Sequence, residues 1–181
     1  MGRDDEILLD LETIATSPKS PVSVGEWITE HKGNAEYISL SLPLAIDGAQ
    51  IGGSRLLLRG PRSTPASRPF YGLVALLFAS IRGATFHLGR IEFDPENPIK
   101  PHRNPLNPHG APPVVRGRQI HRFGPNRYLG LDAFRPEGRL PLAFPIEQEF
   151  VRFEEVMVLV RDEFVIPEFW VEEPVWSRQL V

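Results

Sequence analysis

Cysteine is absent from all 181 residues. That excludes thiolate catalysis, cysteine-ligated zinc and a disulfide framework. Long apolar runs are absent too. The longest, Leu73 to Ala79, falls far short of the ~20 residues needed to span a bilayer, so no membrane partner is expected. The opening MGRDDEILLDLET is acidic and has no apolar leader segment, so a cytoplasmic location is the expectation. No glycine-rich phosphate cradle occurs, and no Gly-x-Ser-x-Gly elbow. His102, His109, His121 and Glu92 are scattered donors without a compact H-x-H or H-E-x-x-H pair. The reading therefore assigns no metal and no cofactor.

What the chain does contain is ordinary for a folded domain: 41% apolar and 24% charged residues. Its length suits one domain, and a domain near this size buries roughly 70% of its unfolded surface. The net charge of −3 conceals an asymmetry. Residues 1–53 carry −6, residues 54–139 carry +9 and residues 140–181 carry −6. Thirteen of the fourteen middle cations are arginine, whose planar fork suits phosphates and carboxylates. Two readings follow. Either the acidic ends pair with the basic middle, or the middle presents an anion-binding face, most naturally for nucleic acid.

The apolar pattern predicts an α+β fold: an antiparallel sheet of about five or six strands, a short N-terminal helix and a longer C-terminal helix. Ile7, Leu8, Leu11 and Ile14 recur at helical spacing over Asp4 to Thr16. A turn or short helix is expected around Val24 to His31. Strands are expected at Tyr37–Leu42, Arg55–Arg59, Tyr71–Ser80, Thr85–Phe93 and Gln119–Phe123, with weaker candidates at Tyr128–Phe134 and Leu140–Phe144. Tyr71–Ser80 would also fit a buried helix. Gly89 interrupts alternation and marks a candidate bulge. Residues 94–113 hold seven prolines and form a long connection. Glu147 to Phe164 places Phe150, Phe153, Val156, Met157, Val160 and Phe164 on one helical face. The whole reads as one domain: a helical segment 1–34, a basic β-rich body 35–145, a helix 146–166 and an apolar tail 167–181. That tail carries Trp170 and Trp176, which either dock on the body or contact a partner or a second copy.

Three clusters could carry chemistry. Arg90 and Glu92 share a strand face. His102, Arg103 and Asn104 sit in the proline-rich loop. Arg116, Arg118, Gln119, His121 and Arg122 lie close together, with Gln119 and His121 on one strand face and Arg118 and Arg122 on the other. A return of the chain from Glu92 to Gln119 would bring Arg90, Glu92 and His121 together, with His102 above them. Two histidines able to move protons and arginines able to hold a phosphate are what metal-independent RNA cleavage needs. The candidate catalytic set is His121, His102, Arg90 and Arg122. The candidate substrate-binding set is Arg116, Arg118, Arg103, Asn104 and Glu92.

The run Gly89-Arg90-Ile91-Glu92, His102-Arg103-Asn104-Pro105 and Gln119-Ile120-His121-Arg122-Phe123 resembles a group of small uncharacterised prokaryotic proteins. Their pattern is an arginine-acid strand, an H-x-N-P loop and an H-x-H strand, then an apolar proline-containing stretch and an aromatic-rich helix. Leu140 to Phe164 supplies the last two features in order. Gln119 stands where the group has its first histidine, which weighs against a two-histidine mechanism or a metal site on this strand. By analogy the resemblance implies a toxin-like or mobile-element protein. The leading expectation is a nucleic-acid-facing protein acting as a toxin-type ribonuclease. The alternative is a non-enzymatic interaction module of a mobile-element or defence system that binds a protein or anionic partner.

Overall fold

The computed structural model describes residues 2–95, 100–106 and 110–179, with residues 178 and 179 described as backbone alone. Helix α1, Arg3–Thr16, buries Ile7, Leu11 and Ile14 along one stripe. Asp4, Asp5 and Glu6 fill its first turn, where the helix dipole favours acids. The Asp5 carboxylate also accepts the Gly2 N–H at 2.8 Å. Pro18 disfavours helical geometry at Ser17 and ends the helix. Lys19 then folds back, and its ammonium donates to the carbonyls of Ala15 and Ser17 at 3.2 and 2.7 Å. Carbonyls that the helix end leaves open are thereby paired.

The strands follow in order: β1 (Ser20–Pro21), β2 (Ile28–Lys32), β3 (Ala35–Ala45), β4 (Arg55–Pro61), β5 (Ser63–Pro65), β6 (Val74–Ile81), β7 (Ala84–Glu92), β8 (His102–Arg103), β9 (Val114–Val115) and β10 (Gln119–His121). Helix α2 (Phe123–Arg127) and a 3-10 turn (Leu131–Phe134) come next, then β11 (Phe144–Pro145), α3 (Phe153–Glu163) and β12 (Ser177–Gln179). The main sheet has eight strands in the order β1-β3-β4-β6-β7-β10-β11, with β2 also on β3. Every pairing in it is antiparallel. Two small sheets stand apart: β8 with β9, antiparallel, and β12 with β5, parallel.

Alternation gives this sheet two unlike faces. One carries Ile38, Leu40, Leu42, Leu56, Leu58, Ala75, Leu77, Phe86, Ile91 and Ile120, all buried in a core shared with α1 and α3. The other carries Tyr37, Ser39, Arg55, Leu57, Arg59, Val74, Leu76, Phe78, Arg90 and Glu92. Several of these residues are only half-buried. The β6–β7 register slips between Leu77 and Phe78, so Leu88 has no opposite number, one residue from Gly89. Gly89 itself lets the ring of Phe164 reach the strand. A Cβ there would lie 2.6 Å from Cε1 of Phe164.

The antiparallel α+β class is observed, with more strands than expected and different helix lengths. The N-terminal helix, 14 residues, is longer than the 11-residue α3. Residues 147–152 are not helical because Glu155 takes the backbone N–H groups of Val151 and Arg152 at 2.8 and 3.1 Å, which sets the helix start at Arg152. The segment expected as a turn or helix around Val24 to His31 instead provides β2, paired residue by residue from Ile28↔Ser39 to Lys32↔Ala35. Tyr128–Phe134 is a turn and a 3-10 helix rather than a strand, with Gly130 at φ 81°. The tail is docked: Phe169, Val171 and Trp176 are buried, while Trp170 stays exposed. No helix among the described residues is long and apolar enough to cross a membrane.

The charge asymmetry is partly resolved within the fold. Arg59 and Arg62 meet Glu30 and Glu36, Arg82 meets Glu6, and Arg127 meets Glu12. Arg118 and Arg122 meet Glu149 and Glu163. Six arginines of the middle block thus face acids from the two acidic ends.

Candidate functional site

Strand β10 lies beside β7 with Gln119 opposite Glu92 and His121 opposite Arg90. The four side chains therefore share one face. Arg90 donates to Nε2 of His121 at 2.8 Å, and its Nε lies 3.1 Å from the Glu92 carboxylate. Gln119 donates to the other oxygen of Glu92 at 2.9 Å. His102 reaches in from β8 and sets its ring edge-on to His121, with centroids 5.0 Å apart. The sequence-derived residues Arg90, Glu92, His102, His121 and Asn104 form one cluster.

Most of the cluster's remaining bonding is directed at four consecutive backbone residues. His121 Nδ1 donates to the Leu140 carbonyl at 2.6 Å, and His102 Nε2 donates to that of Pro141 at 2.8 Å. Asn126 donates to the Leu142 carbonyl at 3.0 Å and accepts its N–H at 2.8 Å. Asn104 does the same for Ala143, at 2.8 Å in both directions. The Leu140 N–H goes to Ala133, and Pro141 has none. Every backbone polar group of residues 140–143 is satisfied, mostly by side chains, so this segment, which Leu140 enters at φ 52°, needs no strand partner. The arrangement is a clamp on the proline-containing stretch.

The clamp fixes the chemistry available at His121. Its ring is fully buried, Nδ1 carries the proton given to Leu140, and Nε2 accepts from Arg90. Burial, and then the Arg90 cation, push its pKa down to about 2. Neither nitrogen is free to exchange a proton with a substrate. Arg122 points the other way, as the neighbour of His121 on a strand must. It forms a two-point ion pair with Glu163 at the mouth of an apolar cavity of about 300 Å³ lined by Leu77, Leu88, Ile120, Phe123 and Phe164. Arg103 is exposed beside β9. Arg116 and Arg118 line a separate crevice with Asp94 and Glu147. The structure thus brings together the clamp residues, not the four-residue catalytic set. His109 lies outside the described residues. Among the described residues no group of three or more His, Asp or Glu is placed to hold a metal ion.

A second grouping lies on the open sheet face, where the sequence pointed only to Arg90 and Glu92. Arg59 sits over the ring of Tyr37, 4.5 Å from its centroid, and Arg55 over Phe78 at 5.4 Å. His87 packs edge-on to Phe78, with centroids 4.7 Å apart. Half-buried Leu57 and Leu76 pair directly between the two stacks. A groove of about 260 Å³ runs along Lys32, Tyr37, Arg59, Val74 and Leu76. Three buried polar atoms of this face make no hydrogen bond: Arg59 Nε, His87 Nδ1 and Arg90 Nε. Burial first, then Arg90 and Arg139, hold the His87 pKa below its ordinary value. The signal for this face was alternation itself: Arg55-Leu56-Leu57-Leu58-Arg59 puts both arginines on one side.

Comparison of the chain with protein-family models, with curated proteins and with solved structures gave no match.

Proposed function

We propose that this chain is a non-enzymatic interaction module that holds an anionic partner on the open face of its sheet. The observation that carries the reading is the pair of arginine-on-aromatic stacks, Arg59 on Tyr37 and Arg55 on Phe78, flanking Leu57 and Leu76 on a half-exposed surface. The acids of that face are already engaged. Glu30 accepts from Ser39 and pairs with one guanidinium nitrogen of Arg59, Nη2, at 3.3 Å, and Glu92 is taken by Arg90 and Gln119. Guanidinium groups held flat by a ring lose little freedom when they pair with an anion. A mobile-element or defence context, as the resemblance suggests, suits such a module.

The ribonuclease reading has weaker support. Cleavage needs a histidine that can take or give a proton at the bound strand. His121 commits its two ring nitrogens to the Leu140 carbonyl and to Arg90, and His102 commits Nε2 to the Pro141 carbonyl.

The test is binding of a fluorescent heparin fragment at low salt, followed by anisotropy. Wild-type protein binds, with affinity falling steeply as salt rises, and the double variant Arg55→Glu/Arg59→Glu loses binding while keeping its circular dichroism spectrum. Undiminished binding by that variant would sink the assignment. So would cleavage of a labelled RNA by wild-type protein that His121→Ala abolishes.

A further inference from the structure

We infer that the anionic partner is single-stranded nucleic acid, with one base seated in the groove beside Tyr37 and Arg59. This rests on the binding-module reading above and adds the identity of the ligand.

The groove is smaller than the ~300–1,000 Å³ pockets that enclose drug-sized ligands, and its volume of about 260 Å³ suits a planar ring. Its floor is aliphatic, from Val74 and Leu76, and its wall is the Arg59 guanidinium lying on Tyr37. A base entering there would extend the Tyr37–Arg59 stack by one layer. Unpaired bases stack on aromatic rings and guanidinium planes in this way.

Charge continues along the same face. Arg55 lies four residues from Arg59 on β4, roughly 13 Å away along an extended strand. Lys32 borders the groove from β2. Cations separated by an aliphatic floor match a strand whose phosphates and bases alternate. A duplex fits poorly, because its base edges are read by an element that enters a groove. The arginine and aromatic side chains here stand on the flat of a sheet, which offers no such element. An acidic peptide would meet the cations but would leave the stacking plane unused.

The experiment compares affinities by anisotropy for a short labelled single-stranded RNA, the same sequence as duplex, and a labelled heparin fragment, with polyglutamate as competitor. Expected is a preference for the single strand over the duplex of about fivefold or more, the scale of one stacked base. Arg59→Lys keeps the charge but loses the plane, and Tyr37→Leu removes the support. Each lowers single-strand affinity by about fivefold or more and heparin affinity by less than about twofold. Arg161→Ala, on α3, changes neither. Heparin binding with equal affinity for single strand and duplex, or single-strand binding that Arg59→Lys leaves intact, overturns this inference alone. Efficient displacement of the strand by polyglutamate also overturns it, in favour of an acidic protein partner. Failure to bind any of the three polyanions overturns the binding-module reading itself.

Discussion

The side-chain amide of Asn104 pairs with the backbone of Ala143 as a neighbouring strand would, donating to its carbonyl and accepting its N–H, both at 2.8 Å. The same Nδ2 also reaches the Pro112 carbonyl at 2.6 Å. One short polar side chain thereby ties the proline-rich connection to the stretch before β11. Asn126, fully buried, repeats the pattern one residue earlier at Leu142. Replacing either asparagine by alanine removes the partner of a backbone N–H and of a carbonyl that no other bond found among the described residues satisfies. The expected cost is about 3 kcal/mol for Asn104→Ala, from three hydrogen bonds at roughly 1 kcal/mol each. Arg103→Ala, at an exposed neighbouring position, is expected to stay within about 0.5 kcal/mol of wild type. Urea denaturation of the two variants measures both. An Asn104→Ala protein as stable as Arg103→Ala would refute the clamp.

His121 makes the clamp pH-sensitive. Its folded pKa is pushed down to about 2, mainly by burial and then by Arg90, against an unfolded value near 6.5. The unfolded chain therefore takes up a proton that the folded one refuses. The stabilising contribution is complete above the unfolded value and declines as pH falls below it. The limiting slope is about 1.4 kcal/mol per pH unit. His87, also shifted down by burial, adds in the same direction, so the informative quantity is a difference between proteins. His121→Gln offers a donor for Leu140 and an acceptor for Arg90 without titrating. Its stability between pH 6.5 and 4 should fall less steeply than that of wild type. Parallel stability curves over that range would show that His121 is not held neutral.

How far the sequence could be read follows from where each element's hydrogen bonds go. Alternation exposed the sheet core, because Ile38, Leu40 and Leu42, or Leu56 and Leu58, face one way whatever lies opposite them. The pairing of Glu92 with Gln119 was also legible, since both segments alternate and meet in register. Strand β2 was not. Its residues are mostly exposed and without period, and its extended form comes from pairing with β3. Leu140 to Ala143 misled in the other direction: its apolar pattern reads as a strand, yet Leu140 is left-handed at φ 52° and the backbone is bonded to side chains rather than to a strand. Phe150 carries helical spacing but packs on Phe93 from outside the helix, with ring centroids 5.2 Å apart. For the site, the histidines and Asn104 stood out as chemically capable residues. Their common target, four backbone residues far along the chain, could not be seen from spacing. Asn126 was hidden inside Gly124-Pro125-Asn126, which reads as a turn.

Lys19 gives the alkaline counterpart. It is among the few buried charged residues, with only 2% of its surface exposed, and its ammonium donates to two carbonyls at the end of α1. Burial lowers its pKa to about 8 from an ordinary 10.5. The sign is opposite to that of a lysine gaining a carboxylate partner. Below pH 8 the fold bears the cost of a buried ammonium. Between 8 and 10.5 the unfolded chain still holds the proton that the folded chain has released, so this group makes stability rise with pH. The full span is worth about 3 kcal/mol. Lys19→Met keeps the apolar stem and removes the titration. The two hydrogen bonds to Ala15 and Ser17 are lost with it, so the variant need not be more stable at neutral pH. The stability difference, wild type minus Lys19→Met, should nevertheless grow in favour of wild type as pH rises from 8 to 10. Chemical denaturation across that interval reads it directly. A difference that stays flat would mean that Lys19 titrates alike in the folded and unfolded chains, and that its two carbonyl partners offset the full cost of its burial.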